Sequence, residues 1–389
     1  MVGTAIPGPS RVTEGTEQGP MVSEVNPRTA LFVGLVATAL VLASVLLLGA
    51  VWPSTSGAAK SPGGVPPVKL SCTPVPAPTG EIGQTCVGSW PEAMLYDPSN
   101  QLIYVSVQNS GIVSVVQPTG LSLVATIPTY NDARGLALDP NNGYLYVGNG
   151  FGDNVTVIST STNVVTTTWA FPGYGYMVGA QYDPTTNQLF LLANNPPNSI
   201  LSIGPADGSL VMAIPIDENT GGGSGPIAGV DTATHVLYYA ARGNFDVEEI
   251  DELTGAALGY LPTGTTFGPT NTFFDPSNQL LYVADGGWLY TGPGNLLVVF
   301  NVTSGTEVAN VTVGGFPSTF GYDSARHLLY VSCAATGNIS VIDDLTNKLV
   351  DTISLGPTTL PGPVVVDPAT GDLFVAEDGT GELVELPPA

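Results

Sequence analysis

A ten-residue segment recurs along this chain with little change. The copy at Phe274 reads FDPSNQLLYV, and the copy at Tyr96 reads YDPSNQLIYV. A near-identical segment at two distant places marks an internal repeat. Seven copies align, and they begin at Tyr96, Leu138, Tyr182, Val230, Phe274, Tyr322 and Val366. The repeat therefore constrains the fold more than any single residue does.

Each copy predicts a tight turn between two strands. The Asp accepts backbone N–H groups, the Pro presets φ at about −65°, and Asn or Gly tolerates the closing geometry. An LYV-type strand, a polar loop and two Val-rich strands follow each turn. The turn aspartates are 42, 44, 48, 44, 48 and 44 residues apart. Four short antiparallel strands at such a period are typical of propeller blades.

We therefore predict an all-β, seven-bladed β-propeller of four-stranded antiparallel blades over residues 80–389. The last repeat ends after ELVEL and PPA, before an outermost strand. The stretch before the first turn aligns with the passage from outer to inner strand that leads into the seventh repeat. We expect Glu81 to Gly88 to supply the missing strand, because closing the ring removes open sheet edges.

The chain before residue 80 has three segments of different character. Residues 1–28 are polar without hydrophobic periodicity, which predicts a disordered tail. Residues 29–52 carry no charge and, as a helix, would be roughly 35 Å long, enough to cross a hydrocarbon core of about 30 Å. We predict a transmembrane helix there; a signal peptide cleaved near Ser56–Ala59 is the alternative. Residues 53–79 contain seven prolines, which predicts an extended stalk.

The chain is strongly acidic. It has 32 Asp and Glu against 8 Lys and Arg, a net charge of −24, and residues 80–389 alone have 29 acids against four bases. A negative field repels phosphate backbones, so we expect no nucleic-acid partner and favour cations or basic partners. The alternative is that the acidity serves only solubility. Flanking charge does not orient the membrane segment, because Arg11 and Arg28 match Lys60 and Lys69.

Other features predict a single-pass membrane protein whose propeller lies outside the cytoplasm. Cys72 and Cys86 can form one disulfide beside the membrane segment, and Cys333 would remain as a small buried thiol. Four sequons suit the same side of the membrane, although such triplets also arise by chance in Val/Thr-rich strands. The glycosylation candidates are Asn154, Asn301, Asn310 and Asn338.

The repeats resemble a known family. LYVGNG, LYVADG and IYVSVQN, followed by NVTVIST or NISVIDD, are similar to YVTN β-propeller repeats, and the resemblance extends from about residue 80 to the end. It implies a seven-bladed propeller. For function it implies less, since members resemble surface-layer and secreted scaffold proteins while some relatives are lactonases or cofactor-dependent dehydrogenases. No residue set from those enzymes can be matched here.

Candidate binding residues lie on one face of the predicted propeller. Loops between second and third strands, and between successive blades, share that face, and two insertions, 217–226 and 285–294, also fall there. Residues three and four positions after each LYV-type aromatic are expected at the channel mouth. Exposed aromatics beside Gly and Asn suit peptides or sugars, whereas ordinary loop filling is the alternative. The predicted ligand-binding residues are Arg134, Asn149, Phe151, Asn194, Arg242, Asp285, Trp288, Tyr290, Glu377 and Asp378.

Other polar residues are expected to be structural. The turn aspartates lie on the opposite face and are predicted to form turns rather than act as acids or ligands. His235 and His327 occupy turns of distant repeats without a visible third ligand, so we expect surface roles and no metal site. Glu249 replaces the valine of other repeats in a strand, and we predict that this carboxylate pairs with Arg242.

The absence of nucleophile-elbow, P-loop and Rossmann signatures predicts no catalytic residues and no cofactor. The leading hypothesis is a membrane-anchored extracytoplasmic propeller that binds a protein, glycan or cation, or acts as a scaffold, through its loop face. One alternative is an enzyme of lactonase or cofactor-dependent dehydrogenase type, with Asp285, Glu377 and Asp378 around the channel. The other is a purely structural envelope protein.

Overall fold

The described part of the chain is a complete ring of β-sheets. The computed structural model describes residues 70–73, 80–195, 198–216, 229–288 and 292–389. Within these ranges, 28 strands form seven four-stranded antiparallel sheets, so the predicted seven-bladed propeller is confirmed. Among the same residues, no helix has the length and apolarity needed to cross a membrane. The predicted tail, the transmembrane segment 29–52 and most of the stalk lie outside the described residues.

Six blades consist of four consecutive strands, which follow one another from the channel outward. Blade one contains β2 (Pro91–Asp97), β3 (Leu102–Val107), β4 (Ile112–Gln117) and β5 (Ser122–Pro128); blade two contains β6 (Ala133–Asp139), β7 (Tyr144–Asn149), β8 (Asn154–Ser159) and β9 (Val164–Ala170). Blade three contains β10 (Tyr176–Asp183), β11 (Gln188–Asn194), β12 (Ser199–Ile203) and β13 (Leu210–Pro215); blade four contains β14 (Gly229–Asp231), β15 (Val236–Ala241), β16 (Asp246–Asp251) and β17 (Ala257–Pro262). Blade five contains β18 (Asn271–Asp275), β19 (Leu280–Trp288), β20 (Gly292–Asn301) and β21 (Thr306–Thr312); blade six contains β22 (Pro317–Asp323), β23 (Leu328–Cys333), β24 (Asn338–Asp343) and β25 (Lys348–Ser354).

The first strand of the propeller completes blade seven, which otherwise contains the last three strands. Its inner strands are β26 (Pro361–Val366), β27 (Leu373–Glu377) and β28 (Glu382–Leu386), and β1 (Gly83–Cys86) pairs with β28 as the outermost strand. The pairing is antiparallel, with Gln84 opposite Val384. The predicted closure of the ring is confirmed. A disulfide joins Cys72 to Cys86 at the end of β1, and Cys333 is a buried free thiol.

An aspartate organises the turn between the first and second strands of every blade. Its Oδ1 accepts a hydrogen bond of 2.7–3.0 Å from the backbone N–H two residues later. The residue four positions after the aspartate has a positive φ, between 53° and 82°. The predicted role of these residues as turn formers is confirmed for Asp97, Asp139, Asp183, Asp231, Asp275, Asp323 and Asp367.

Apolar packing joins each blade to the next. The second strand β3, LIYVSV, is buried along its whole length, whereas the outermost strand β25 is largely exposed. The buried side chains of the described residues form seven clusters, each shared by two adjacent blades, with blade seven packing on blade one. Because both sides of a blade are apolar, each needs a neighbour on both sides.

A buried tyrosine adds a polar link between blades. Tyr104 and Tyr282 are completely buried in second strands. Their hydroxyls donate to Asn163 Oδ1 at 2.8 Å and to Asn347 Oδ1 at 2.9 Å. Each asparagine lies in the outer turn of the next blade. The tyrosine of the repeat therefore both fills the core and satisfies its own hydroxyl.

We expect Tyr282→Phe to lower the free energy of unfolding by about 1 kcal/mol, since it removes one buried hydrogen bond. Tyr282→Ala should lower it by about 3–5 kcal/mol, because it also leaves a cavity. Equilibrium unfolding in urea measures both values, with Tyr260→Phe on exposed strand β17 as the unchanged control. A Tyr282→Phe variant as stable as the wild type would show that the bond to Asn347 contributes nothing.

Candidate functional site

The propeller presents two faces of different character. We call the loop face the one that carries the connections between second and third strands and between successive blades. The turn face carries the aspartate turns. At the loop face, the innermost strand β2 begins between β6 and β26 and contacts both. Their first residues therefore surround one side of the channel mouth.

The residues three positions after the LYV-type aromatic lie inside the blades and not at the mouth. Each is at most 1% exposed, because its side chain lies between neighbouring blades near the end of a second strand. The expectation that these positions reach the mouth is wrong. They are Val107, Asn149, Ala193, Ala241, Asp285, Cys333 and Glu377.

The three polar members of this set form hydrogen bonds with residues of the loop-face connections. Asn149 Nδ2 donates to Asn154 Oδ1 at 2.7 Å. Thr265 donates a short hydrogen bond to Asp285 Oδ2, and Thr380 Oγ1 donates to Glu377 Oε2 at 2.7 Å. Asp285 and Glu377 lie in blades five and seven, and both side chains are fully buried.

Burial changes the acidity of Glu377. Loss of solvation raises its pKa from 4.5 to about 7, the negative charges of Glu81 and Glu382 add to the rise, and the Thr380 hydrogen bond opposes it. Oε1 has no hydrogen-bond partner among the described residues. The side chain is therefore an uncompensated acid inside the sheet, which favours its protonated form.

Four polar side chains from three adjacent blades do meet at the mouth, and we call them the mouth cluster: Glu92, Asp132, Arg134 and Asp378. Arg134 Nε donates to Asp132 Oδ2 at 2.9 Å, and its Nη1 lies 3.4 Å from Glu92 Oε1. Glu92 and Arg134 are the second residues of β2 and β6. Asp378 follows β27 and is partly buried.

Glycine makes room for Asp378. Gly362 is the second residue of β26, the position that Glu92 and Arg134 occupy in their own blades. A Cβ atom at Gly362 would lie 2.6 Å from Asp378 Oδ1, closer than real contacts allow. The missing side chain thus lets the carboxyl group of Asp378 lie against the start of β26.

The mouth cluster is electrostatically unbalanced. The guanidinium of Arg134 contacts the carboxyl groups of Glu92 and Asp132, whereas Asp378 lies near the charge of Glu92 and forms no ion pair within the described residues. Burial raises the pKa of Glu92, Arg134 opposes that rise and Asp132 adds to it. Burial also raises the pKa of Asp378 well above its ordinary range, and the charge of Glu92 adds to the effect. Asp378 Oδ1 has no hydrogen-bond partner in the described part of the chain.

Aromatic side chains are exposed beside this cluster. Phe151 is 60% exposed and contacts Tyr176 edge-on, with ring centroids 5.1 Å apart. Tyr130, 52% exposed, lies against Gly152, where a Cβ would stand 2.6 Å from its ring. We call Tyr130, Phe151 and Tyr176 the aromatic patch. It belongs to the loop face of blades two and three, next to Asp132 and Arg134.

The other predicted ligand-binding residues are not gathered with these. Arg242 lies in a single-turn 3-10 helix of blade four and is 6% exposed. Asn194 ends β11 and is partly buried. The backbone of Trp288 ends β19, but its side chain, all of Tyr290 and the insertion 217–226 lie outside the described residues. Blade three separates Arg134 and Phe151 from Arg242.

Four residues of this region, Glu92, Asp132, Tyr130 and Tyr176, were not predicted from the sequence. A signal was available, because Glu92 and Arg134 both stand five positions before a turn aspartate. Equivalent positions in successive repeats lie side by side around a ring, so two opposite charges there predict a contact between blades. The prediction rested on positions after the LYV-type aromatic, which leaves out residues at the start of the innermost strands.

The predicted ion pair between Glu249 and Arg242 is wrong. Glu249 stands opposite Tyr238 and Gly259 in the middle of β16, while Arg242 follows β15 beyond the strand pairing. The side chain of Glu249 lies over Gly259, and the lack of a side chain at this glycine leaves room for the carboxylate. Burial alone raises the pKa of Glu249. The carboxylate thus adapts by a pKa change and not by pairing.

The sequons differ in accessibility. Asn154 is 4% exposed, and both ends of its side-chain amide are hydrogen-bonded within the loop. Asn310 is exposed on outer strand β21, and Asn301 and Asn338 are partly buried. Of the four, Asn310 presents the most accessible amide.

A group of one histidine and two acids lies on the turn face: Asp183, His235 and Glu252. The sequence showed no further metal ligands beside His235. Ligand atoms of Asp183, His235 and Glu252 all lie within 4.8 Å of one another. His235 Nδ1 is 2.6 Å from Glu252 Oε1. Asp183 comes from blade three and the other two residues from blade four, so the group spans a blade boundary.

Comparisons with known proteins identify the fold. No family model and no curated protein sequence matches this chain. A solved structure with the same fold is hydrazine synthase of Kuenenia stuttgartiensis, with a sequence identity of 14% and a TM-score of 0.64. The match covers 77% of this chain and 96% of the hydrazine synthase chain. At this identity the likeness shows the propeller fold alone.

Glu377 predicts a pH dependence of stability. Its folded pKa of about 7 exceeds the ordinary 4.5, so the native state holds the proton more tightly, and stability falls as pH rises from 4.5 through about 7. Glu377→Gln should remove the contribution of Glu377 to this loss, so its free energy of unfolding should exceed that of the wild type above pH 7 by about 2–3 kcal/mol.

Urea unfolding across this pH range measures the effect. Glu307→Gln, an exchange on the exposed outer strand β21, is the control and should retain the wild-type pH profile. Parallel profiles for the wild type and Glu377→Gln would contradict the assignment to Glu377.

Proposed function

We propose that this protein is a binding module that recognises a positively charged polypeptide through the mouth cluster on its loop face. The seven-bladed ring acts as the rigid support, and the partner occupies the mouth beside blades seven, one and two. Residues 80–389 carry 29 acids against four bases, which favours the approach of basic partners.

The observation that carries the proposal is the state of Asp378. Its Oδ1 lacks a hydrogen-bond donor among the described residues, and the nearby Glu92 adds negative charge. A lysine ammonium or arginine guanidinium of a partner would donate to Asp378 and compensate Glu92 at once. Arg134 already contacts Asp132 and Glu92, so it fixes those carboxylates in place for the incoming cation.

The aromatic patch supports a polypeptide over a free metal cation. Phe151, Tyr176 and Tyr130 offer exposed ring surface next to the charged cluster. Aromatic side chains contribute contact area at low cost in conformational entropy, and they also attract cations above their faces. A basic segment with apolar neighbours would use both parts of this surface.

We further propose that the propeller is a member of the YVTN repeat family, anchored in a membrane by residues 29–52 and lying outside the cytoplasm. The repeated LYV-type strands and turns support the family. The uncharged length of residues 29–52 supports the anchor. The disulfide between Cys72 and Cys86 supports an oxidising compartment.

Binding of synthetic oligolysine to the full-length chain tests the proposed function. The mouth variant Glu92→Gln/Asp378→Asn should weaken binding by about tenfold or more, because it removes both carboxylates that face the cation. The rim variant Glu307→Gln/Asp351→Asn changes the net charge equally on exposed outer strands and should bind as the wild type does. Isothermal titration calorimetry measures each affinity.

Two further readouts separate site binding from general attraction. Wild-type affinity should rise with pH, because Asp378 must lose its proton to pair with the cation, and Asp378→Asn should flatten that rise. Equal weakening in the mouth and rim variants would contradict a specific site. Binding of a glycan probe that is lost with Phe151→Ala, without any binding of oligolysine, would replace the polypeptide by a sugar partner.

A further inference from the structure

A histidine and two acids meet on the turn face between blades three and four. Asp183 and Glu252 are fully buried, and the side chain of His235 is 35% exposed. Their ligand atoms lie within 4.8 Å of one another, with His235 Nδ1 only 2.6 Å from Glu252 Oε1. The group is remote from the mouth cluster, which lies on the opposite face.

The backbone holds each side chain of this group in place. His235 occupies the positive-φ position of its turn, at φ 61°. The N–H of Glu252 donates to the carbonyl oxygen of His235 at 3.0 Å, so the two side chains leave adjacent points of the backbone. Thr185 donates from its N–H and its hydroxyl to Asp183 Oδ1, at 2.7 and 2.8 Å. The conformation of the turns therefore brings these three residues together.

The group brings two buried carboxyl groups close together beside one imidazole. Glu252 Oε2 is buried and has no hydrogen-bond donor among the described residues. Two carboxyl groups in contact inside a protein require a shared proton or a cation between them.

We propose that Asp183, His235 and Glu252 bind one divalent transition-metal ion, of which Zn²⁺ is the representative, across the boundary of blades three and four. The imidazole Nδ1 and one oxygen of each carboxylate form the three protein ligands. The partly exposed side of His235 leaves a position for water.

The donor set selects the class of metal. Zn²⁺ takes imidazole nitrogen and carboxylate oxygen at about 2.0–2.2 Å, so tetrahedral ligand atoms lie about 3.4 Å apart. The 4.8 Å spread of the group requires only small side-chain movements. Ca²⁺ and Mg²⁺ prefer oxygen ligands only and in larger number, so a site with one imidazole and two carboxylates disfavours them.

Blade six provides an internal comparison. Asp275, His327 and Asp344 hold the positions equivalent to Asp183, His235 and Glu252. There the hydroxyl of Tyr322 lies 2.6 Å from Asp344 Oδ2 and 3.3 Å from Asp275 Oδ2.

In blade four the residue equivalent to Tyr322 is Val230, which has no hydroxyl group. The space that a hydroxyl fills in blade six is therefore the place where blade four can hold an ion. The absence of this hydroxyl and the longer acid, Glu252, both favour a cation at the boundary of blades three and four.

Metal titration of the full-length, tag-free chain tests the proposal. After treatment with a chelator, the wild type should bind one Zn²⁺ per chain at neutral pH. His235→Ala and Glu252→Gln should each weaken that binding by about tenfold or more, because each removes a ligand. His327→Ala, at the equivalent turn of blade six, should leave it unchanged. Ca²⁺ should not compete at equal concentration.

Two measurements keep the outcome decisive if a variant folds poorly. Saturating Zn²⁺ should raise the melting temperature of the wild type by a few degrees, since the ion binds only the folded ring. Co²⁺ should give visible absorption bands of a site with nitrogen and oxygen ligands. Absence of saturable one-to-one binding to the wild type, or equal weakening by His235→Ala and His327→Ala, would overturn the proposal and leave a shared proton as the link between the two acids.

Discussion

The whole molecule depends on covering both faces of every blade. The second and third strands are apolar on each side, so a single blade, or an open row of blades, would expose two apolar surfaces. Seven clusters within the described residues meet this requirement, and the cluster of Ile103 and Phe374 joins the last blade to the first. Ring closure through β1 is therefore a condition for burying the core. Binding sites are therefore expected at the two faces of the ring, where the loops and the turns lie.

The two ends are under different constraints. On the turn face, an aspartate, a backbone N–H and a positive-φ residue recur in each blade, so the residue types there are largely decided by turn geometry. On the loop face, neighbouring blades contribute unlike residues at equivalent positions, such as Glu92, Arg134 and Gly362. The loop face can therefore vary without loss of the fold, which is why the mouth cluster is the proposed binding site. The group around His235 shows that a turn can also acquire chemistry while it keeps its conformation.

Much of the fold could be predicted from the sequence, because strands and turns of a blade are encoded locally and repeat. Seven turns, four strands per blade and the closing strand all followed from spacing and turn chemistry. The site was harder, since its contacts cross blade boundaries. Asn149, Asp285 and Glu377 were predicted at the mouth from their distance along a strand, but their side chains are fully buried. Glu252 and Asp183 are 69 residues apart in sequence, and only the curvature of the ring brings them together.

The bridge between Cys72 and Cys86 has a mechanical consequence. Cys86 is the last residue of β1, and the chain then runs directly into blade one. A pull on the chain before Cys72 passes through the two sulfur atoms to Cys86 and bypasses Gly83, Gln84 and Thr85. The closing strand thus bears no load along its length, and such a pull does not peel it away from β28. Reduction of the bridge would transmit the same force along β1. The ring would then open at blade seven, which combines β1 with β26, β27 and β28.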